Sequence, residues 1–140
     1  LQREFEGCDT LTGEPIAHWQ TEEPTETSHY IRIARGSKLG IALGTHTAAA
    51  NSFHHQGIRD VAPNLTPVAH GADGLVEAVE VRERTFMLGV QWHPEFFLGE
   101  KHTGNLFATL VSEASAARAS GRLEAADGIR LHWAAPQEDA

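Results

Sequence analysis

Hydrophobic and polar positions alternate over His29-Tyr30-Ile31-Arg32-Ile33-Ala34-Arg35, setting Ile31 and Ile33 on one face and Tyr30 and Arg32 on the other. That period of two predicts a half-buried strand, ended by Gly36-Ser37. Residues 37–43 fit a helical turn carrying Leu39 and Leu43. Ala48 to Phe53 fits a second short strand that delivers Asn51-Ser52-Phe53-His54-His55-Gln56 at its end. Leu65 to Ala69 reads as a weak strand interrupted by Pro67, and a proline that cannot donate to a ladder argues for an edge position. Asp73-Gly74 is a turn signal. It opens Leu75 to Val81, where Leu75, Val79 and Val81 share a face with the charged Glu77. A polar link, Arg82 to Thr85, leads into Phe86–Trp92, a nearly continuous apolar run of the kind expected in a strand buried on both faces. These two strands predict a hairpin. Leu106, Leu110 and Ala114, joined by Phe107 and Val111, recur at helical spacing and predict a helix from about Thr103 to Arg118, stopped by Gly121.

Outside this body the chain is polar. Residues 1–27 read as a loop region punctuated by Gly7, Gly13, Pro15 and Pro24, with at most one short helix. Residues 121–140 read as a tail in which Ile129–Trp133 docks and the last positions fray. The chain of 140 residues is 41% hydrophobic and 21% charged, the balance of an ordinary globular domain. Eleven Lys and Arg against nineteen Asp and Glu give a net charge of -8, which repels a phosphate backbone and argues against nucleic acid as a partner. No apolar run approaches the roughly 20 residues that span a bilayer, so no membrane segment is expected. A single cysteine, Cys8, excludes an intrachain disulfide and fits a reducing compartment. The chain begins Leu1-Gln2-Arg3-Glu4, with no initiator Met and no signal-peptide pattern. Composition alone leaves a processed start and the edge of a larger protein both open.

Three stretches carry candidate chemistry. In Gly89-Val90-Gln91-Trp92-His93-Pro94-Glu95 a strand runs directly into a histidine and a glutamate separated by one proline. A neutral imidazole can take a proton from a nucleophile near pH 7, and a carboxylate two residues on can hold it in one tautomer. A plain turn after a strand would produce the same triplet. The second stretch, Asn51 to Gln56, holds adjacent histidines that raise the question of a metal. Neighbours on a strand point to opposite faces, however, and there is no His-Glu-x-x-His, second Cys or Asp cluster at ligand spacing, so no metal site is expected. The third, Asp73-Gly74-Leu75-Val76-Glu77-Ala78, is explained by a turn into a strand. The nine histidines, including His18, His29, His46, His70, His102 and His132, are scattered and read mostly as surface groups.

Taken in order, these pieces resemble one family. Asn51-Ser52-x-His54-x-Gln56-Gly57, Ala62-Pro63-x-Leu65, Asp73-Gly74-Leu75-Val76-Glu77-Ala78 and Leu88-Gly89-Val90-Gln91-Trp92-His93-Pro94-Glu95 look like the carboxy-terminal half of class I glutamine amidotransferase-like hydrolases. Within that class they resemble the gamma-glutamyl-gamma-aminobutyrate hydrolase group of peptidase C26 type. Gly36-Ser37-x-Leu39, preceded by His29 in a strand, is similar to the stretch just upstream. The resemblance covers about residues 28–112.

It implies an α/β fold, a flavodoxin-like three-layer sandwich of which residues 28–120 form the carboxy-terminal part, with strands and one main helix. It also implies a Cys-His-Glu triad in which a thiolate attacks a gamma-glutamyl amide, backbone N–H groups hold the oxyanion, and water hydrolyses the thioester. On this pattern His93 resembles the base and Glu95 its orienting partner, while His54 and Gln56 lie in the adjacent loop, in support or substrate contact. The expectations that follow are a small gamma-glutamyl substrate, no cofactor, a cytoplasmic enzyme of putrescine degradation, and self-association left open. Cys8 departs from the pattern. The family's nucleophile sits in a Gly-x-Cys-x-Gly elbow between strand and helix, whereas Glu6-Gly7-Cys8-Asp9-Thr10 lacks the second glycine, lacks an apolar strand leading in, and sets a carboxylate beside the thiol. The leading expectation is therefore the back half of a larger hydrolase, inactive alone and without its nucleophile. Three alternatives stand beside it: a non-catalytic binding or assembly module, a glutaminase domain feeding ammonia to a synthetase, and catalysis by Cys8 in a rearranged site.

Overall fold

A computed structural model describes residues 7–8, 13–81 and 86–121. Two-residue strands β1 (Gly7–Cys8) and β2 (Pro15–Ile16) pair as a small antiparallel ribbon. The main sheet is built from β3 (His29–Ile33), β4 (Thr47–Ala50), β5 (Thr66–Gly71), β6 (Val76–Glu80) and β7 (Leu88–Val90), in the order β4-β3-β5-β6-β7. All four pairings are antiparallel. The alternation read in β3 is realised: Ile31 and Ile33 are buried, while Tyr30 and Arg32 face solvent.

Helix α1 (Lys38–Leu43) starts where Ser37 accepts a hydrogen bond from the Gly40 N–H and stops at Gly44, whose φ of 71° suits a residue without Cβ. The Lys38 N–H donates to the buried Glu80 carboxylate at 2.9 Å, tying the helix start to β6. Helix α2 (Lys101–Ala119) follows a 3-10 turn at Pro94–Phe97, and its His102 Nδ1 lies 2.8 Å from the Leu43 carbonyl at the end of α1. The core gathers Ile31 and Ile33 of β3, Leu39, Ala42 and Leu43 of α1, Val68 and Ala69 of β5, Ala78 of β6, Trp92 and Leu106.

Four expectations change. β5 is not an edge strand: it lies between β3 and β6. Pro67 is tolerated there because β3 pairs with β5 only from Ala69 to Gly71, and the ladder to β6 shifts register between Pro67 and Ala69, so the missing donor falls at an irregularity. β7 is not buried on both faces. Among the described residues it closes one side of the sheet, with Gly89 exposed and Leu88 and Val90 half-buried. Those side chains, with Phe86, Met87, Pro94, Leu106, Phe107 and Leu110, line an open apolar groove against α2. The helix itself buries Thr103 and Leu106, whereas Leu110 and Val111 of the expected apolar stripe are exposed. Finally, within the polar stretch just before β3, His18 and Gln20 are buried. The tail from 122 onward, with Ile129–Trp133, lies outside the described residues.

Candidate active site

His93 leaves the sheet just after β7, where the 3-10 turn begins, and Pro94 is the first residue of that turn. The two-residue step carries the Glu95 carboxylate back over the imidazole, with Glu95 Oε1 2.7 Å from His93 Nδ1. A carboxylate can only accept, so Nδ1 carries the proton and Nε2 presents its lone pair. The pair is about half exposed. The hydrogen bond to His93 holds the Glu95 carboxyl below its ordinary range. This is an imidazole with a carboxylate held on its Nδ1, set in the open at the end of a strand.

Its backbone is clamped by Asn51, a residue that the sequence motif contains but to which it gives no task. Asn51 is fully buried at the end of β4. Its Oδ1 accepts the His93 N–H at 2.9 Å, and its Nδ2 donates to the His93 carbonyl at 3.2 Å and to the Pro24 carbonyl at 2.8 Å. Phe53, two residues on, sets its ring edge-on to His93 with centroids 6.1 Å apart. The loop from 51 to 56 thus lies against the His93 turn.

His54 and Gln56 contribute in a different way. Gln56 acts through its carbonyl, which takes hydrogen bonds from His54 Nδ1 at 3.0 Å and from the Gln91 side chain at 2.9 Å. His54 turns its other nitrogen inward, where Nε2 lies 3.7 Å from Glu77 Oε1. Around the same oxygen stand His29 Nε2 at 3.4 Å and His18 Nδ1 at 3.7 Å. The Glu77 side chain is entirely buried, and those of His18 and His29 are at most 5% exposed. His18 packs its ring against both His29 and His54, with centroids 5.0 and 4.9 Å apart. Burial by itself would raise the Glu77 carboxyl. Protonated His29 and His54 imidazoles facing it would overcome this and hold the group down at about 2. The reading of His18 and His29 as surface groups is therefore corrected: both are interior, brought together by segments far apart in the chain.

Cys8 lies in β1, and its pairing with Pro15 leaves only the six residues 9–14 before β2. The position of its thiol lies outside the described residues. No helix among the described residues is long and apolar enough to cross a membrane.

Comparison with known proteins agrees with the motif order. The chain is 46% identical over 85 residues to YvdE of Lactococcus lactis, assigned as a glutamine amidotransferase-like protein, covering 60% of this chain and 35% of that one. It is 42% identical over 76 residues to the gamma-glutamyl-gamma-aminobutyrate hydrolase PuuD of Escherichia coli K12, covering 54% and 30%. A crystal structure from Thermoplasma acidophilum, assigned as one component of a GMP synthase, superposes with a TM-score of 0.55 at 15% identity, covering 68% of this chain and 46% of that one. That likeness shows the fold, class I glutamine amidotransferase-like. The chain spans about a third of the length of the curated relatives it matches. The profile of the Peptidase C26 family matches residues 9–95, the span that runs through the 51–56 loop, the buried Glu77 and the His93–Glu95 pair. A hydrolase-like, amidotransferase-like scaffold with these residues in this order belongs to the Peptidase C26 family.

Proposed function

We propose that this chain supplies the base and the orienting carboxylate of a Cys-His-Glu hydrolase acting on gamma-glutamyl amides, with the nucleophilic thiol contributed from outside the described residues. The observation that carries the reading is the 2.7 Å contact between Glu95 and His93 Nδ1, which leaves Nε2 as the free basic nitrogen. In the reaction His93 Nε2 takes the thiol proton as sulfur attacks the gamma-glutamyl carbonyl, then hands it to the leaving amine. Water, deprotonated by the same nitrogen, cleaves the thioester to glutamate. Glu95 stays ionised and stabilises the imidazolium formed at each half-reaction. The pair's exposure fits a site reached by a small substrate from solvent.

The likeness to the Escherichia coli hydrolase favours gamma-glutamyl-gamma-aminobutyrate as the substrate. The amidotransferase-like relative favours a second reading, hydrolysis of glutamine to supply ammonia. Release of glutamate from each compound, measured side by side on the whole protein, separates the two. Quenching with acid during turnover and mass analysis of the peptides tests the covalent step. A gamma-glutamyl thioester on a cysteine other than Cys8 is expected. Turnover without any thioester, insensitive to thiol alkylation, would overturn the proposed chemistry.

A further inference from the structure

The hydrogen bonding of the group around Glu77 does not close on itself. His29 Nε2, His54 Nε2 and both Glu77 carboxylate oxygens are buried without a hydrogen-bond partner. Buried polar atoms left this way are destabilising, the more so when charged. Four such atoms pointing at one another need a reason.

The outer hydrogen bonds supply it. Ser28 Oγ donates its proton to the Ala17 carbonyl at 2.6 Å, so toward His29 Nδ1, 3.4 Å away, it can only accept. His54 Nδ1 faces the Gln56 carbonyl at 3.0 Å, an acceptor. His18 Nε2 faces the Asp73 carboxylate at 2.6 Å, also an acceptor, and Asp73 is itself held by the Leu75 N–H. Each imidazole thus carries its proton on the outer nitrogen and turns a lone pair inward, toward a carboxylate that is an acceptor as well. Ser52 Oγ lies 3.4 Å from His18 Nδ1. Three imidazole nitrogens thus converge on the negative charge of Glu77.

The spacing matches a cation. The three nitrogens lie 3.4, 3.7 and 3.7 Å from Glu77 Oε1, too far for charge-assisted hydrogen bonds of roughly 2.7–2.9 Å. Zinc bonds of about 2.0–2.2 Å to nitrogen and oxygen, arranged tetrahedrally, place ligand atoms roughly 3.3–3.5 Å apart. One ligand atom from each of His18, His29 and Glu77 falls within 4.8 Å of the others. The acceptor behind each histidine is the outer shell that fixes a ligating imidazole in the right tautomer.

We propose that His18 Nδ1, His29 Nε2, His54 Nε2 and the Glu77 carboxylate bind one divalent cation of the zinc class. With all four positions filled by protein and the site enclosed, the metal is structural: it pins the segment before β3, β3 itself, the 51–57 loop and β6 to one point. This departs from the sequence expectation of no metal, which weighed each motif singly. The ligands come from four separate segments. The site stands independently of the proposed hydrolysis.

The test uses the full chain, stripped with chelator and titrated with Zn²⁺ and with Co²⁺. One equivalent bound, the visible bands of four-coordinate cobalt and a rise in Tm on metal addition are expected. His54→Ala, the least buried of the histidine ligands, is expected to weaken binding by at least the roughly 10–100-fold that loss of an outer-shell partner costs. His55→Ala, on the exposed neighbour, should leave it unchanged. If Glu77→Gln fails to fold, His54→Ala still decides. No stoichiometric binding by the native chain, showing that the cluster holds protons instead, would overturn the proposal, as would undiminished binding by His54→Ala.

Discussion

Asn51 offers a test of how the His93 turn is held. Replacing it with alanine removes three hydrogen bonds, two to His93 and one to Pro24, from a side chain with no exposure. At roughly 1 kcal/mol net for each, the loss is about 3 kcal/mol. His93 and Pro24 are only partly buried, so water recovers some of their hydrogen bonding, while the vacated volume adds a cavity cost. A value of about 2–4 kcal/mol is expected, read as a lower urea midpoint at unchanged slope. Asn51→Asp should be no milder. It keeps the acceptor for the His93 N–H but turns a buried oxygen, in place of the donor, toward two carbonyl oxygens. Activity should fall further than stability, since a displacement of about 1 Å in a catalytic group can cost on the order of 10²-fold. A change under about 0.5 kcal/mol in Asn51→Ala, with kcat intact, would refute the clamp.

Other outcomes follow from single contacts. The Glu95 carboxyl should titrate below its ordinary range by NMR and return toward about 4.3 in His93→Ala. Because its folded pKa is the lower one, the pair's contribution is present above the unfolded value and disappears as pH falls through the folded value. A Cβ at Gly71 would stand 2.6 Å from Asp73 Oδ1, so Gly71→Ala should displace the carboxylate that holds His18. A loss of roughly 1.5–3 kcal/mol is expected in thermal unfolding, the worth of a hydrogen bond to a charged group. Leu106→Ala, in the core, should cost about 2–5 kcal/mol, whereas Val111→Ala on the exposed side of α2 should stay within about 0.5 kcal/mol.

What could be read from sequence was local. The His93–Glu95 pair is legible because two residues and a proline suffice to bring the groups together, and β3 because its alternation fixes both faces. The antiparallel pairing of β6 with β7 was legible from the short polar link between two apolar segments. The place of β5 was not, because an irregular register, invisible in composition, relieves Pro67 of its missing donor. Exposure of Leu110 and Val111 was hidden as well, since helical spacing tells which residues share a stripe but not what covers it. The Glu77 cluster was least legible. His18, His29, His54 and Glu77 are joined by the sheet order that sets β3 two strands from β6 and by backbone hydrogen bonds from the 18–20 segment to the 52–54 loop, and each looks ordinary in its own segment.

Whether His93, aimed by Glu95, is the base of gamma-glutamyl hydrolysis comes down to one comparison. Steady-state release of glutamate from gamma-glutamyl-gamma-aminobutyrate is measured for the whole protein and for its His93→Ala variant. A loss in kcat on the order of 10²–10⁴-fold, with folding intact, is expected if the imidazole moves the proton. A His93→Ala variant that turns over at the wild-type rate would contradict that role.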